Sequence, residues 1–143
     1  MRFMILVKAN EQTESGVLPT EADLTAMGRY NEELVKAGVM LAGEGLHPSS
    51  NGARVRFDKG GSTVLDGPFA ETKELVAGFW LIQVRSREEA IEWARRIPVA
   101  EDGPVCEFEV RQVFEADDFG DVMTPEMRAA EESLRERSAA NRK

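Results

Sequence analysis

The chain has 143 residues, 42% hydrophobic and 31% charged, an ordinary balance for one globular domain rather than a disordered segment. Its formal net charge of −8 repels phosphate backbones and anionic lipid, and the nearest candidate for a basic patch, Arg95-Arg96, has Glu88, Glu89 and Glu92 close by. Nucleic acid and membranes are therefore excluded as expected partners. A single cysteine, Cys106, forbids an intrachain disulfide and a multi-cysteine zinc cluster. The apolar start is too short for a secretory signal and no run reaches membrane-spanning length, so a cytoplasmic location is expected.

The run FMILV within residues 2–8 is too short for a helix and apolar on both faces, Phe3/Ile5/Val7 and Met4/Leu6, which predicts a strand covered on both sides. A polar loop follows. Thr20 then opens a helix over residues 21–37, with Glu21 and Asp23 at its positive end, an apolar stripe of Leu24, Met27, Leu34 and Val35, and Gly38 as C-terminal cap. Residues 39–46 read as a second strand, residues 49–52 as a turn, and Arg54-Val55-Arg56-Phe57 as a strand with one wet face. Gly60-Gly61 turns the chain into a short strand over residues 62–65, which the segment Asp66-Gly67-Pro68-Phe69 interrupts.

GFWLIQV at residues 78–84 is the second strongly apolar strand, with Phe79 and Leu81 on one face and Trp80, Ile82 and Val84 on the other. Ser86 and Glu89 have the spacing of a capping box before a helix carrying Ala90, Trp93, Ala94 and Ile97, which Pro98 ends. Residues 106–113 alternate as a last strand with Cys106, Phe108 and Val110 on the apolar face, which predicts a buried, inert thiol. After Phe114 the chain turns acidic. Thr124-Pro125 starts a peripheral C-terminal helix whose stripe, Met127, Ala130 and Leu134, is thin.

This order, β-α-β-β-β-β-α-β, predicts an α+β domain: a ferredoxin-like antiparallel sheet with an inserted hairpin and two helices on one face, at residues 1–114, followed by an acidic extension at 115–143. Two helices cover one face of a sheet whose central strands are apolar on both. The simplest cover for the other face is a second copy, so a homodimer is expected.

DGPFAETKE at residues 66–74 resembles the signature of the DGPF branch of the YCII-related family, and LAGEGLHPS at 41–49, GFWLIQV and EFEVRQV fall where that family has them. The resemblance covers about the first four-fifths of the chain. It implies a dimeric α+β-barrel-like fold and a small cleft in which a histidine and an aspartate form an acid–base pair. It also implies an association with extracytoplasmic-function sigma factors.

His47 is the one histidine, so imidazole chemistry rests on it, as acid or as base; at a strand end it reads equally as a polar edge residue. Asp66 reads as a turn residue that accepts local backbone hydrogen bonds while Gly67 takes an unusual φ and Pro68 presets the next, or as a carboxylate at a cleft mouth that relays a proton. Phe69 belongs to the same loop. Lys73 offers a charge for a substrate carboxylate or an exposed ion pair with its glutamate neighbours. Arg54 and Arg56 share one strand face and form an anion clamp or a solvated edge. No nucleotide-binding or nucleophile-elbow motif occurs, and no ligand spacing marks a metal site, so neither cofactor nor metal is expected.

Three functions remain open from the sequence: a lyase- or isomerase-type enzyme acting on a small organic acid through His47 and Asp66, a non-catalytic small-molecule sensor tied to a sigma factor, and a structural dimer in which the loop only shapes the fold.

Overall fold

The computed structural model describes residues 1–142, in two compact units, Met1–Val113 and Phe114–Lys143. In the first unit the elements run β1 (Arg2–Lys8), α1 (Glu11–Glu14), α2 (Glu21–Lys36), β2 (Met40–Gly45), β3 (Ala53–Asp58), β4 (Gly61–Asp66), β5 (Val76–Gln83), α3 (Arg87–Arg95) and β6 (Phe108–Gln112). Four strands form an antiparallel sheet in the order β2-β5-β1-β6, and β3 with β4 make a separate two-stranded ribbon. The mixed α+β class and the inserted hairpin agree with the sequence.

The register assigns the two sheet faces. Phe3 lies opposite Ile82 and Gln112, and Ile5 opposite Trp80 and Val110, so these side chains share a face. Phe3, Ile5, Trp80 and Ile82 are buried there in one cluster with Tyr30 and Leu34 of α2 and Ala90 and Trp93 of α3. Both helices therefore cover the same face. On the other face lie Met4, Leu6, Phe79 and Leu81, all half-buried, with Ala42 and Glu44 on the β2 side and Glu109 and Arg111 on the β6 side.

Caps fix where the helices start. The Thr20 hydroxyl accepts from the Asp23 amide while the Asp23 carboxylate accepts from the Thr20 amide, and those bonds, the backbone one first, hold the Asp23 carboxyl below its ordinary value. Ser86 accepts from the Glu89 amide, but the Glu89 carboxylate reaches one residue further back, to the Arg85 amide. Gly38, at φ +72°, ends α2 in the conformation that glycine adopts without a steric penalty.

Four expectations need correction. The stripe of α2 is carried by Tyr30 and Leu34, with Met27 packed against the cluster, whereas Leu24 and Val35 are exposed. The loop after β1 contains a helical turn, α1, capped by Asn10. The ribbon is exposed on both faces, not one: Val55, Phe57, Val64 and Leu65 all face solvent along with the arginines. Finally, β6 begins at Phe108, so Cys106 lies before the strand, its thiol exposed and donating to the Pro104 carbonyl.

Tyr30 holds the centre of the core. Its hydroxyl donates to the Trp93 carbonyl at 2.7 Å, and its ring meets Trp80 and Trp93 edge-on at 5.5 and 6.4 Å. Burial pushes the phenol up to about 12, with Glu33 adding to the rise and Arg96 opposing it. The unfolded chain ionises this phenol near 10, so its contribution to stability is whole below that pH and is lost as pH rises from about 10 to about 12. The expected loss is on the order of 2 kcal/mol at full ionisation. Urea midpoints of wild type and Tyr30→Phe between pH 9 and pH 12 check this; the variant should lack that part of the alkaline decline.

In the second unit Phe114 and Phe119 stack at 5.0 Å, and α4 (Pro125–Ala140) starts at the predicted Thr124-Pro125 with the Thr124 hydroxyl accepting from the Met127 amide. Arg128 pairs with Asp117 at 2.8 Å. Met127 and Leu134 are exposed. No helix among the described residues is long and apolar enough to cross a membrane.

Candidate functional site

β2 continues its pairing past Gly45, because the Leu46 amide donates to the Ala77 carbonyl, and this delivers His47 to the end of the sheet where β5 begins. A turn of 3-10 helix at Ser49–Asn51 follows. The ribbon then leaves and returns, and Asp66 ends β4 opposite Ala53 at the root of β3. The chain has thus brought residues 47–52 and 66–69 to one corner of the sheet.

These two segments are sewn together. The Gly67 amide donates to the Gly52 carbonyl at 2.9 Å, and the Phe69 amide donates to the Ser49 hydroxyl at 3.1 Å. Gly67 lies so close to the Ser49 backbone that a Cβ there would overlap the Ser49 carbonyl oxygen. Its φ is not positive, contrary to the expectation of an unusual φ; the glycine is required for close approach, and the positive φ nearby, +61°, belongs to Glu71. The Gly67-Pro68 peptide bond is cis.

A third segment joins through Ser49. Its amide donates to Glu14 Oε1 at 2.9 Å and its hydroxyl to Glu14 Oε2 at 2.5 Å. Neither residue stood out in the sequence. Glu14 lies in a polar stretch with no apolar spacing to mark a helix, and its partner is 35 positions away. Ser49 ends one of the segments that carry the family resemblance, which was the one available signal.

The candidate residues occupy distinct positions around this knot. His47 is exposed, with Asn51 Nδ2 at 3.4 Å from its Nδ1. Asp66 is exposed, and its carboxylate makes no hydrogen bond or ion pair among the described residues. No hydrogen bond or ion pair joins His47 to Asp66. Pro68 is exposed, and Phe69 is half-buried with the Arg54 guanidinium 4.0 Å above its ring. Lys73 lies exposed in a 3-10 turn at Thr72–Glu74, paired with neither neighbouring glutamate.

The ribbon register separates the charges. Arg54 and Arg56 lie opposite Leu65 and Thr63 and share one face; Asp66 shares the other with Ala53, Val55, Phe57 and Val64. The arginines share a face, as their alternation predicts, and point away from the face that carries the carboxylate. No group of three or more His, Cys, Asp or Glu side chains among the described residues could hold a metal ion. A depression of about 400 Å³ lies at the opposite end of β5, lined by Met1, Gly38, Val39, Val84 and Arg85 among others, and contains none of the candidate residues.

The class is an α+β domain built on an antiparallel sheet with an inserted hairpin. The YCII-related domain matches residues 1–115, and the chain belongs to the YCII-related family. A relative, uncharacterized protein R00369 of Rhizobium meliloti (strain 1021), is 42% identical over 73 residues, 51% of this chain. The match spans about half, 56%, of that relative's own length.

Proposed function

We propose that this chain is a DGPF-branch member of the family that acts on a small organic acid as a homodimer, with His47 and Asp66 as acid and base at a cleft between residues 47–52 and 66–69. The observation that supports this reading is the knot itself. It holds the imidazole and carboxylate segments against each other while no hydrogen bond joins the two groups, so each remains available to exchange a proton with a small molecule. Arg54 and Arg56 offer a second, anion-binding face on the same ribbon.

The dimer is part of the proposal. The β2-β5-β1-β6 order is ferredoxin-like, and its open face has an apolar centre, Met4, Leu6, Phe79 and Leu81, between charged margins, the anatomy of an interface core with its rim. Two copies packed by these faces would form the barrel-like arrangement that the family resemblance implies. Sedimentation equilibrium should give twice the 15.9 kDa chain mass for wild type and a single chain mass for Leu81→Lys; a monomeric wild type overturns this part.

Proton exchange tests the chemistry whichever acid is the substrate. Small organic acids with an acidic α-hydrogen are incubated with the protein in D2O, and deuterium uptake is read by NMR. His47→Gln and Asp66→Asn should each lower the exchange rate of the responsive acid by about 100-fold or more, with unchanged melting temperature. The missing bond between His47 and Asp66 favours a second reading, a ligand sensor without turnover and with a sigma factor as partner. Binding of an acid without deuterium uptake would favour that reading; neither binding nor uptake would overturn both.

A further inference from the structure

α1 is a helix without a visible reason to be one. It has four residues and buries none of them. A helix this short does not hold itself together in water. Its capping box ties it internally, with the Asn10 side chain accepting from the Thr13 amide and the Thr13 hydroxyl accepting from the Asn10 amide. Packing into the core therefore does not explain its position. Its last residue, Glu14, also lies at the end of a helix where a negative charge is disfavoured.

What the turn does accomplish is to present one carboxylate. Both Glu14 oxygens accept from Ser49, one from the amide and one from the hydroxyl, a charge-assisted pair on a single residue. The Ser49 hydroxyl has one proton, and Glu14 takes it, so its oxygen lone pairs are fixed toward the Phe69 amide, which donates at 3.1 Å. Glu14, Ser49 and Phe69 thus form one directional chain from α1 to the loop after Asp66. His47 is two positions before Ser49, and Asp66 is three before Phe69.

We propose that Glu14 is a positioning residue: through Ser49 it sets the separation between the His47 segment and the Asp66 loop, and α1 exists to place that carboxylate. The inference rests on the cleft reading given above for its functional meaning, and on the hydrogen-bond chain alone for its structural content. Removal of Glu14 leaves the Ser49 hydroxyl free to rotate, so the Phe69 amide loses its oriented acceptor even though the serine remains.

The test follows the His47 ring and the Gly67 and Phe69 amides by NMR in Glu14→Ala, Ser49→Ala, the double variant and Glu14→Gln, with thermal melts alongside. In both single variants these distant resonances should move, and the Phe69 amide should exchange with solvent at least tenfold faster. The double variant should be no worse than the more severe single one, since both break the same chain. Glu14→Gln keeps an oxygen acceptor and should restore part of the wild-type pattern, which a merely structural loss would not predict. If Glu14→Ala moves only resonances within α1 and leaves His47, Gly67 and Phe69 in place, the proposal is overturned. Malonate, titrated into wild type and Glu14→Ala, separates the two ideas. Weaker binding in the variant links the chain to the cleft. No binding to wild type counts against the cleft reading, while the resonance pattern still decides the role of Glu14.

Discussion

Gly67→Ala should be among the most damaging single-methyl additions this chain can suffer, lowering stability by about 3–4 kcal/mol. The added carbon would overlap the carbonyl oxygen of Ser49, a backbone atom that no rotamer change can move aside. Relief requires residues 66–69 to retreat from residues 48–52. That retreat breaks the Gly67 amide bond to Gly52 and the Phe69 amide bond to Ser49, at about 1 kcal/mol each, and strains whatever contacts persist. Gly28→Ala supplies the control. Gly28 is exposed within α2 and a Cβ there meets nothing within 4 Å, so alanine should stabilise by about 0.5–1 kcal/mol through helix propensity. Urea unfolding should move the two midpoints in opposite directions. Equal midpoints would remove the close-approach account of the loop.

Adjacent residues of α2 give the second large contrast. Leu34 is fully buried in the core cluster, whereas its neighbour Val35 is 63% exposed. Leu34→Ala removes a side chain that α2 drives against the sheet and leaves a cavity among Phe3, Ile82 and their neighbours, with an expected cost of about 3–4 kcal/mol. Val35→Ala should change stability by no more than about 0.5 kcal/mol, with the better helix propensity of alanine offsetting the small area lost. A comparable loss at both positions would mean that α2 is rotated from the orientation described.

The same pair of residues shows where sequence reading succeeds and where it fails. Two-faced apolarity marked β1 and β5 as the central strands because a strand exposes its period directly, and Thr20 and Ser86 marked helix starts because a capping bond spans three residues. The face of α2 was less legible. Tyr30, which is buried, was not among the residues of the expected stripe, and Leu24, placed in the stripe by spacing, is exposed in the structure. Cys106 was placed on a strand by alternation, but the backbone takes up β structure only at Phe108. For the site, the Asp-Gly-Pro-Phe segment was conspicuous, yet the reason for its glycine was not. A left-handed φ is a local property; contact with Ser49 depends on where the ribbon returns. Glu14 illustrates the same limit, since nothing near it in the chain hints at a serine hydroxyl 35 positions on.

The two tryptophans and the one tyrosine of the chain, Trp80, Trp93 and Tyr30, meet in the core of the first unit, all nearly sealed from water. The second unit has only phenylalanine rings, at Phe114 and Phe119. Intrinsic emission excited at 295 nm (roughly the red edge of indole absorption) therefore observes Met1–Val113 alone, while far-ultraviolet dichroism also counts the sixteen residues of Pro125–Ala140. Melting curves from these two signals are records of different parts of the same molecule. Superposition of the curves would mean that the acidic extension unfolds together with the sheet, and an earlier dichroic transition would mean that it melts as a separate body.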